Sequence, residues 1–138
     1  MNKGQIITVE YVLFFSIGII IVISVYFLLN QINNNIYLEI INLQLEKIGE
    51  TIKLLIIQVY ETANNTNTNI SYTLKIPPTI SGSYYRIETS TNMLNLILIN
   101  NNINKQFILY NISFDPTIIY STAGEIKIFS DGTKIKLS

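Results

Sequence analysis

The chain has 138 residues, enough for one small domain and an appendage, and its nine basic and nine acidic residues cancel. That balance leaves neither a basic field for nucleic acid nor an acidic tail, so no nucleic-acid partner is expected. Cysteine, histidine and tryptophan are absent. Their absence removes disulfides, thiolate metal sites, the commonest general base and every Ser-His or Cys-His nucleophile pair.

The first element in chain order is apolar. From Tyr11 to Leu29 no charge interrupts the run, and only Ser16, Gly18 and Ser24 relieve its hydrophobicity. As a helix it would cover roughly 28 Å, close to the hydrocarbon thickness of a bilayer. The pattern therefore predicts a transmembrane helix over 6–30. The following NQINNNIYLEII offers no small-x-small cleavage site, unlike an ordinary secretory signal. Lys3 precedes the span and the next basic residue is Lys47, an asymmetry that predicts a cytoplasmic N-terminus and an exported remainder. Tyr11 and Tyr26 sit near the two ends, as interfacial anchors do. Glu10 is the one carboxylate at the edge of this segment. Either it is a first-turn residue favoured by the helix macrodipole and solvated by headgroups, or it has a task.

The helical period continues over 31–62. Ile32, Ile36, Ile40, Leu43, Ile48, Ile52, Leu55, Ile56 and Val59 recur mostly three or four apart and predict one stripe of an amphipathic helix. Glu39, Gln44, Glu46, Lys47, Glu50 and Lys53 lie mainly off it. Asn33-Asn34-Asn35 and Gly49 are weak spots in the helical pattern, and one long helix from Ile6 to about Thr62 is expected. The polar stretch ETANNTNTN ends it about Thr62 and makes 63–69 a linker.

Beyond the linker the period changes from 3.6 to 2. ISYTLKI (70–76), SYYRIET (83–89), MLNLILI (93–99), KQFILYNISF (105–114), TIIYS (117–121), EIKIFS (125–130) and TKIKLS (133–138) are rich in strand formers and separated by turn residues. Asp131-Gly132 predicts a two-residue type I′ hairpin, and Pro77-Pro78 closes a strand. Residues 70–138 thus read as a small antiparallel sheet or sandwich, and the fold class is α+β. So short a β-domain needs the amphipathic half of the helix to complete its core.

Lys3-Gly4-Gln5 before an apolar helix that carries a glutamate near its start resembles the N-terminus of type IV pilin-like proteins, in particular the archaeal class III signal sequence Gln-x-Ser-x-Glu after a basic-Gly site. Ile76-Pro77-Pro78-Thr79-Ile80-Ser81-Gly82 followed by Tyr85-x-Ile87, Tyr110-Asn111-Ile112, and Glu125-Ile126-Lys127-Ile128 with Asp131-Gly132 are similar to segments of the exported β-domains of that family. The resemblance implies a leader, residues 1–5, removed by a prepilin peptidase on the cytoplasmic side. Gln5 to Glu10 has one residue more than the family pattern. A cut after Gly4 makes Glu10 the sixth mature residue, and a cut after Gln5 makes it the fifth, with Thr8 in the place of the serine.

In the family, that glutamate pairs with the free amino terminus of a neighbouring subunit. The resemblance then implies a structural subunit, major or minor, of an archaeal type IV pilus-like surface filament serving adhesion or attachment. Its partners would be the peptidase, membrane lipid and other pilin-like subunits, identical or related. Ser16, Gly18 and Ser24 mark where helices would approach most closely. The alternative is a single-pass anchored surface protein whose β-domain binds a partner without polymerising.

Asn64, Asn69 and Asn111 open N-glycosylation sequons, a pattern that so asparagine-rich a chain produces by chance about three times. Asn64 and Asn69 are expected in an exposed linker and Asn111 within a strand. Tyr72, Tyr84, Tyr85, Tyr110 and Tyr120 fall in strands and are expected as core aromatics rather than a sugar-binding platform. Asp115 and Asp131 read as turn residues. Lys105, Lys127, Lys134 and Lys136 read as solvated strand faces that guard edges. No carboxylate cluster has metal spacing and no glycine-rich phosphate loop is present. The expectation is no catalytic residue, no metal and no cofactor.

Overall fold

In a computed structural model of the chain, residues 3–100 and 103–138 are described, with side chains from Ile7 onward. The fold is α+β. Helix α1 (Lys3–Thr66) is followed by β1 (Ile70–Lys75), β2 (Tyr85–Ser90), β3 (Met93–Leu98), β4 (Asn104–Ile108), β5 (Ser113–Phe114), β6 (Thr117–Tyr120), a 3-10 turn (Ser121–Ala123), β7 (Glu125–Ser130) and β8 (Lys134–Leu137). The chain divides into two compact units, residues 1–39 and 40–138. Among the described residues the first is helix alone, and the second holds the remainder of α1 and every strand.

Within the second unit the strands form two four-stranded sheets, ordered β1-β7-β8-β5 and β4-β3-β2-β6. All pairings are antiparallel except β5 with β8, where Ser113 and Phe114 lie beside Lys134 and Ile135 in parallel. KQFILYNISF is therefore two strands rather than one. Asn111 adopts a left-handed conformation (φ 64°) in the turn that divides them.

One hydrophobic core joins both sheets to the helix. Its helical contribution is Ile41, Leu45, Ile52, Ile56, Val59 and Ala63, all buried and spaced three, four or seven apart. This corrects the predicted stripe in its first turns. Ile40 and Leu43 are 44% and 60% exposed, while their neighbours Ile41 and Leu45 are fully buried. Apolar residues occupy both sides of this stretch, so spacing alone satisfies either face. The sheets select one of them.

Helix α1 continues through Asn33–Asn35 and Gly49 and ends at Thr66, four residues later than expected, so the linker shrinks to the residues just before β1. Gly49 has a packing reason to be glycine. A Cβ there would overlap the Phe107 ring of β4, which sits directly on the helix backbone. The cost of glycine in a helix, about 1 kcal/mol against alanine, is offset by this close approach of sheet to helix.

Two buried side chains fix the turn after β1. The Tyr85 hydroxyl donates to the Pro77 carbonyl at 2.8 Å. The Ser121 hydroxyl donates to the Pro78 carbonyl at 2.6 Å and accepts from the Tyr85 backbone N–H at 3.1 Å. Burial pushes the Tyr85 phenol up to about 12.

The connection between β7 and β8 differs from the expected two-residue hairpin. The last β7–β8 pair is Ser130 with Ile135 and β8 begins at Lys134, leaving residues 131–133 in the turn, of which only Gly132 has positive φ (86°). Asp131 organises it instead. Its carboxylate accepts from the backbone N–H of Lys134 at 2.9 Å and of Thr133 at 2.8 Å, and from the Thr133 hydroxyl at 2.7 Å. These bonds, the Lys134 one foremost, pull its pKa down to about 2.

Candidate functional site

The segment most unlike an ordinary globular surface is the first unit. Every described side chain from Ile7 to Glu39 is exposed. α1 is long and apolar enough to cross a membrane: an 18-residue window of it has a mean hydropathy of 2.9 and is not buried at all within the protein. The exposed set includes Phe14, Phe15, Ile20, Val22, Phe27 and Leu28, each between 59% and 72% exposed. Contiguous apolar surface of this extent needs lipid or protein around it.

The two serine hydroxyls inside the run turn to their own backbone. The Ser16 hydroxyl donates to the Val12 carbonyl at 2.8 Å and the Ser24 hydroxyl to the Ile20 carbonyl at the same distance. Neither presents an unmet donor to hydrocarbon. Around Gly18 the rod has an open notch of ≈ 400 Å³ walled by Phe15, Ile19, Val22 and Ile23, and nothing lies within 4 Å of where a Cβ would be. At about 100° per residue, Ser16 and Ser24 lie roughly 80° apart around the helix and Gly18 falls on the far side from Ser16. The three small positions do not form a single stripe.

Glu10 is exposed and helical. Because α1 already runs from Lys3, Glu10 lies beyond its first turn, and no acidic residue occupies that turn. The macrodipole, which acts over the first turn, does not account for it. Lys3, Gly4 and Gln5 are helical in backbone, and their side chains lie outside the described residues.

In the second unit, Asn64 lies in the last helical turn, Asn69 just before β1 and Asn111 in the β4–β5 turn, and all three are exposed. Asn111 is thus not within a strand, as expected, but at a turn. The tyrosines also depart from expectation. Only Tyr85 joins the core; Tyr72, Tyr84, Tyr110 and Tyr120 are 47%, 49%, 78% and 51% exposed. Tyr84 lies just before β2 and Tyr110 in the β4–β5 turn, so neither falls in a strand. Lys105 is no simple edge guard, since its ammonium reaches Glu46 of the helix at 3.3 Å. Lys127, Lys134 and Lys136 are exposed. Asp115 is exposed between β5 and β6, and its carbonyl accepts from the Thr89 hydroxyl at 3.0 Å. No group of three or more carboxylates able to hold a metal ion exists among the described residues.

A groove that the sequence reading missed runs beside α1 in this unit. Two adjoining hollows of ≈ 190 and ≈ 300 Å³ share Lys47, Ile48 and Pro77. Lys75 borders the smaller, and Gln44 and Ser81 the larger. No periodicity brings Lys47 and Lys75 together; only the packing of β1 and its following turn on the helix does.

No protein-family model, no curated protein and no solved structure matches the chain.

Proposed function

We propose that the chain is a pilin-like structural subunit, major or minor, of an archaeal type IV pilus-like surface filament, built through its N-terminal apolar helix and used for attachment. The observation that carries this reading is the contrast within α1. Its second half buries a stripe under two sheets, while every side chain from Ile7 to Leu29 is exposed and Glu10 lies beyond the first turn.

In this reading the helix first rests in the membrane, N-terminus cytoplasmic and β-domain outside. A prepilin peptidase then removes the residues up to Gly4 or Gln5. Both bonds lie in helical backbone, so either cut requires the first turn to unwind. The new ammonium terminus offsets the desolvation of Glu10 from a neighbouring subunit as helices gather, a cost of several kcal/mol for an unpaired carboxylate in an apolar bundle. Lipid contacts are exchanged for helix–helix packing, to which the notch at Gly18 offers a seat for a neighbour's side chains.

The test is a Glu10→Ala chain expressed in its native cell. The expected outcome is protein still in the membrane fraction, cleaved, and absent from sheared surface filaments. Normal filaments from that variant overturn the reading. A second reading, a single-pass anchored surface protein that never polymerises, is favoured by the scatter of Ser16, Gly18 and Ser24 around the helix. Mass spectrometry of the native N-terminus separates the two, because an intact Met1 or Asn2 removes the peptidase from the account.

A further inference from the structure

We propose that the groove between α1 and the turn after β1 binds an acidic saccharide, with Lys47 and Lys75 holding a uronic-acid carboxylate. The proposal needs only an accessible β-domain, so it stands or falls separately from filament assembly.

Charge supplies the first argument. The helix carboxylates closest in sequence to Lys47 are committed elsewhere: Glu46 to Lys105 at 3.3 Å and Glu50 to Lys53 at 3.2 Å. Glu125, the cross-strand neighbour of Lys75, forms no ion pair and does not line the groove. Among the described residues the ammonium groups of Lys47 and Lys75 form no ion pair, and neither hollow is lined by a carboxylate. Two ammonium groups on one concave surface call for an anion.

Shape and lining narrow the class of anion. The larger hollow, ≈ 300 Å³, lies at the lower end of the range of about 300–1,000 Å³ used for small organic ligands, far above what an inorganic ion fills, and the smaller, ≈ 190 Å³, adjoins it. Ile48, Ile76, Pro77 and Ile80 contribute apolar surface, while Gln44, Thr51 and Thr79 add amide and hydroxyl groups. A sugar acid has the same mixture: a carboxylate, hydroxyls and a C–H face. The Ser81 hydroxyl meets the Gln44 amide oxygen across the larger hollow at 3.4 Å, a long contact that a sugar hydroxyl can replace.

Rigidity supplies the third. One wall is the Pro77–Ser81 turn, held by Tyr85 and Ser121 on the Pro77 and Pro78 carbonyls and by the reciprocal Ile80–Ser83 backbone bonds of 2.9 Å. A wall fixed in advance loses little freedom when a ligand arrives.

The full-length protein in a neutral detergent, titrated calorimetrically with an oligouronate, with the same oligosaccharide reduced to its neutral form, and with an oligoglutamate peptide, tests the proposal. The oligouronate is expected to bind, more weakly as salt rises, and the neutral sugar at least about tenfold more weakly. Lys47→Ala and Lys75→Ala are each expected to weaken binding about tenfold, Lys127→Ala not at all, with melting temperatures unchanged. Lys47→Arg should retain binding. Absence of oligouronate binding, equal binding of the neutral sugar, or indifference to both lysine truncations overturns it. Tighter binding of oligoglutamate also overturns it and assigns the groove to an acidic protein segment.

Discussion

The two halves of α1 are written in nearly the same alphabet and meet different fates. Both are rich in isoleucine and leucine, yet Ile7–Glu39 has every described side chain exposed while Ile40–Thr66 divides into a buried and an exposed face. The difference lies in what comes between the apolar residues. In the second half Glu46, Lys47, Glu50 and Lys53 interrupt the greasy positions and leave one stripe for the sheets. In the first half nothing charged follows Glu10 before Leu29, so no face is set apart and every side requires a partner. A helix that is apolar all round belongs in lipid or a bundle; a striped one belongs on a domain.

Substitutions on either side of that division sharpen the contrast. The largest expected effect is on Leu45, where truncation to alanine should cost the second unit about 2–5 kcal/mol of stability in a denaturant melt. The same change at Leu43, two residues away and 60% exposed, should stay within about 0.5 kcal/mol. Equal losses at the two sites would erase the assigned stripe.

The glycines come next. Gly49→Ala drives a methyl group into the Phe107 ring, and overpacking of about 1–3 kcal/mol should outweigh the gain of about 1 kcal/mol in helix propensity. Gly18→Ala meets nothing within 4 Å, and should leave the melting of the β-domain unchanged. A stabilising Gly49→Ala would remove Phe107 from its seat on the helix.

Tyr85→Phe deletes the bond to the Pro77 carbonyl and should cost about 1–2 kcal/mol. Its pH dependence has a definite sign. The folded phenol titrates near 12, against an ordinary value of 10.0, so the folded state keeps its proton longer than the unfolded one. The contribution is full below pH 10 and is lost as pH rises towards 12. Alkaline melts of the wild type should show that decline, and those of Tyr85→Phe should lack it.

Asp131 comes last. Its folded pKa of about 2 lies below the ordinary 3.8, so its contribution is present above pH 4 and fades as pH falls towards 2. Asp131→Ala should flatten the acid limb of the stability curve by that part alone, measured as melting temperature against pH.

Much of this architecture is legible in the sequence because period is a local property. The long helix, the switch to alternation after Asn69 and the strand cores of β1, β3 and β7 follow from spacing and composition. What depends on contact is not legible. Ile40 and Ile41 are the same residue type one position apart, and only the sheets decide which is covered. Gly49 reads as a weak point in any propensity scale, while its use is visible only from Phe107, a partner far along the chain. Asp131-Gly132 announces a turn correctly but not its form, because a carboxylate gathering three donors competes with the type I′ backbone. The sequence singled out Glu10, yet its position beyond the first turn required the helix to be traced back to Lys3. The lysine-lined groove left no trace in the pattern, since its two cations come from different elements.

The strand order also sets a timetable for synthesis. β1 is made immediately after the helix, yet its one strand partner is β7, with Ile70 opposite Ser130. As the chain leaves the ribosome, β2, β3, β4 and β6 find partners among close neighbours, while β1 must wait for nearly the whole nascent polypeptide. Until β7 arrives, an unsatisfied strand edge stands next to bare helix, ready to capture another growing chain. Late closure of that sheet is therefore the stage at which crowding of newly made copies does most harm.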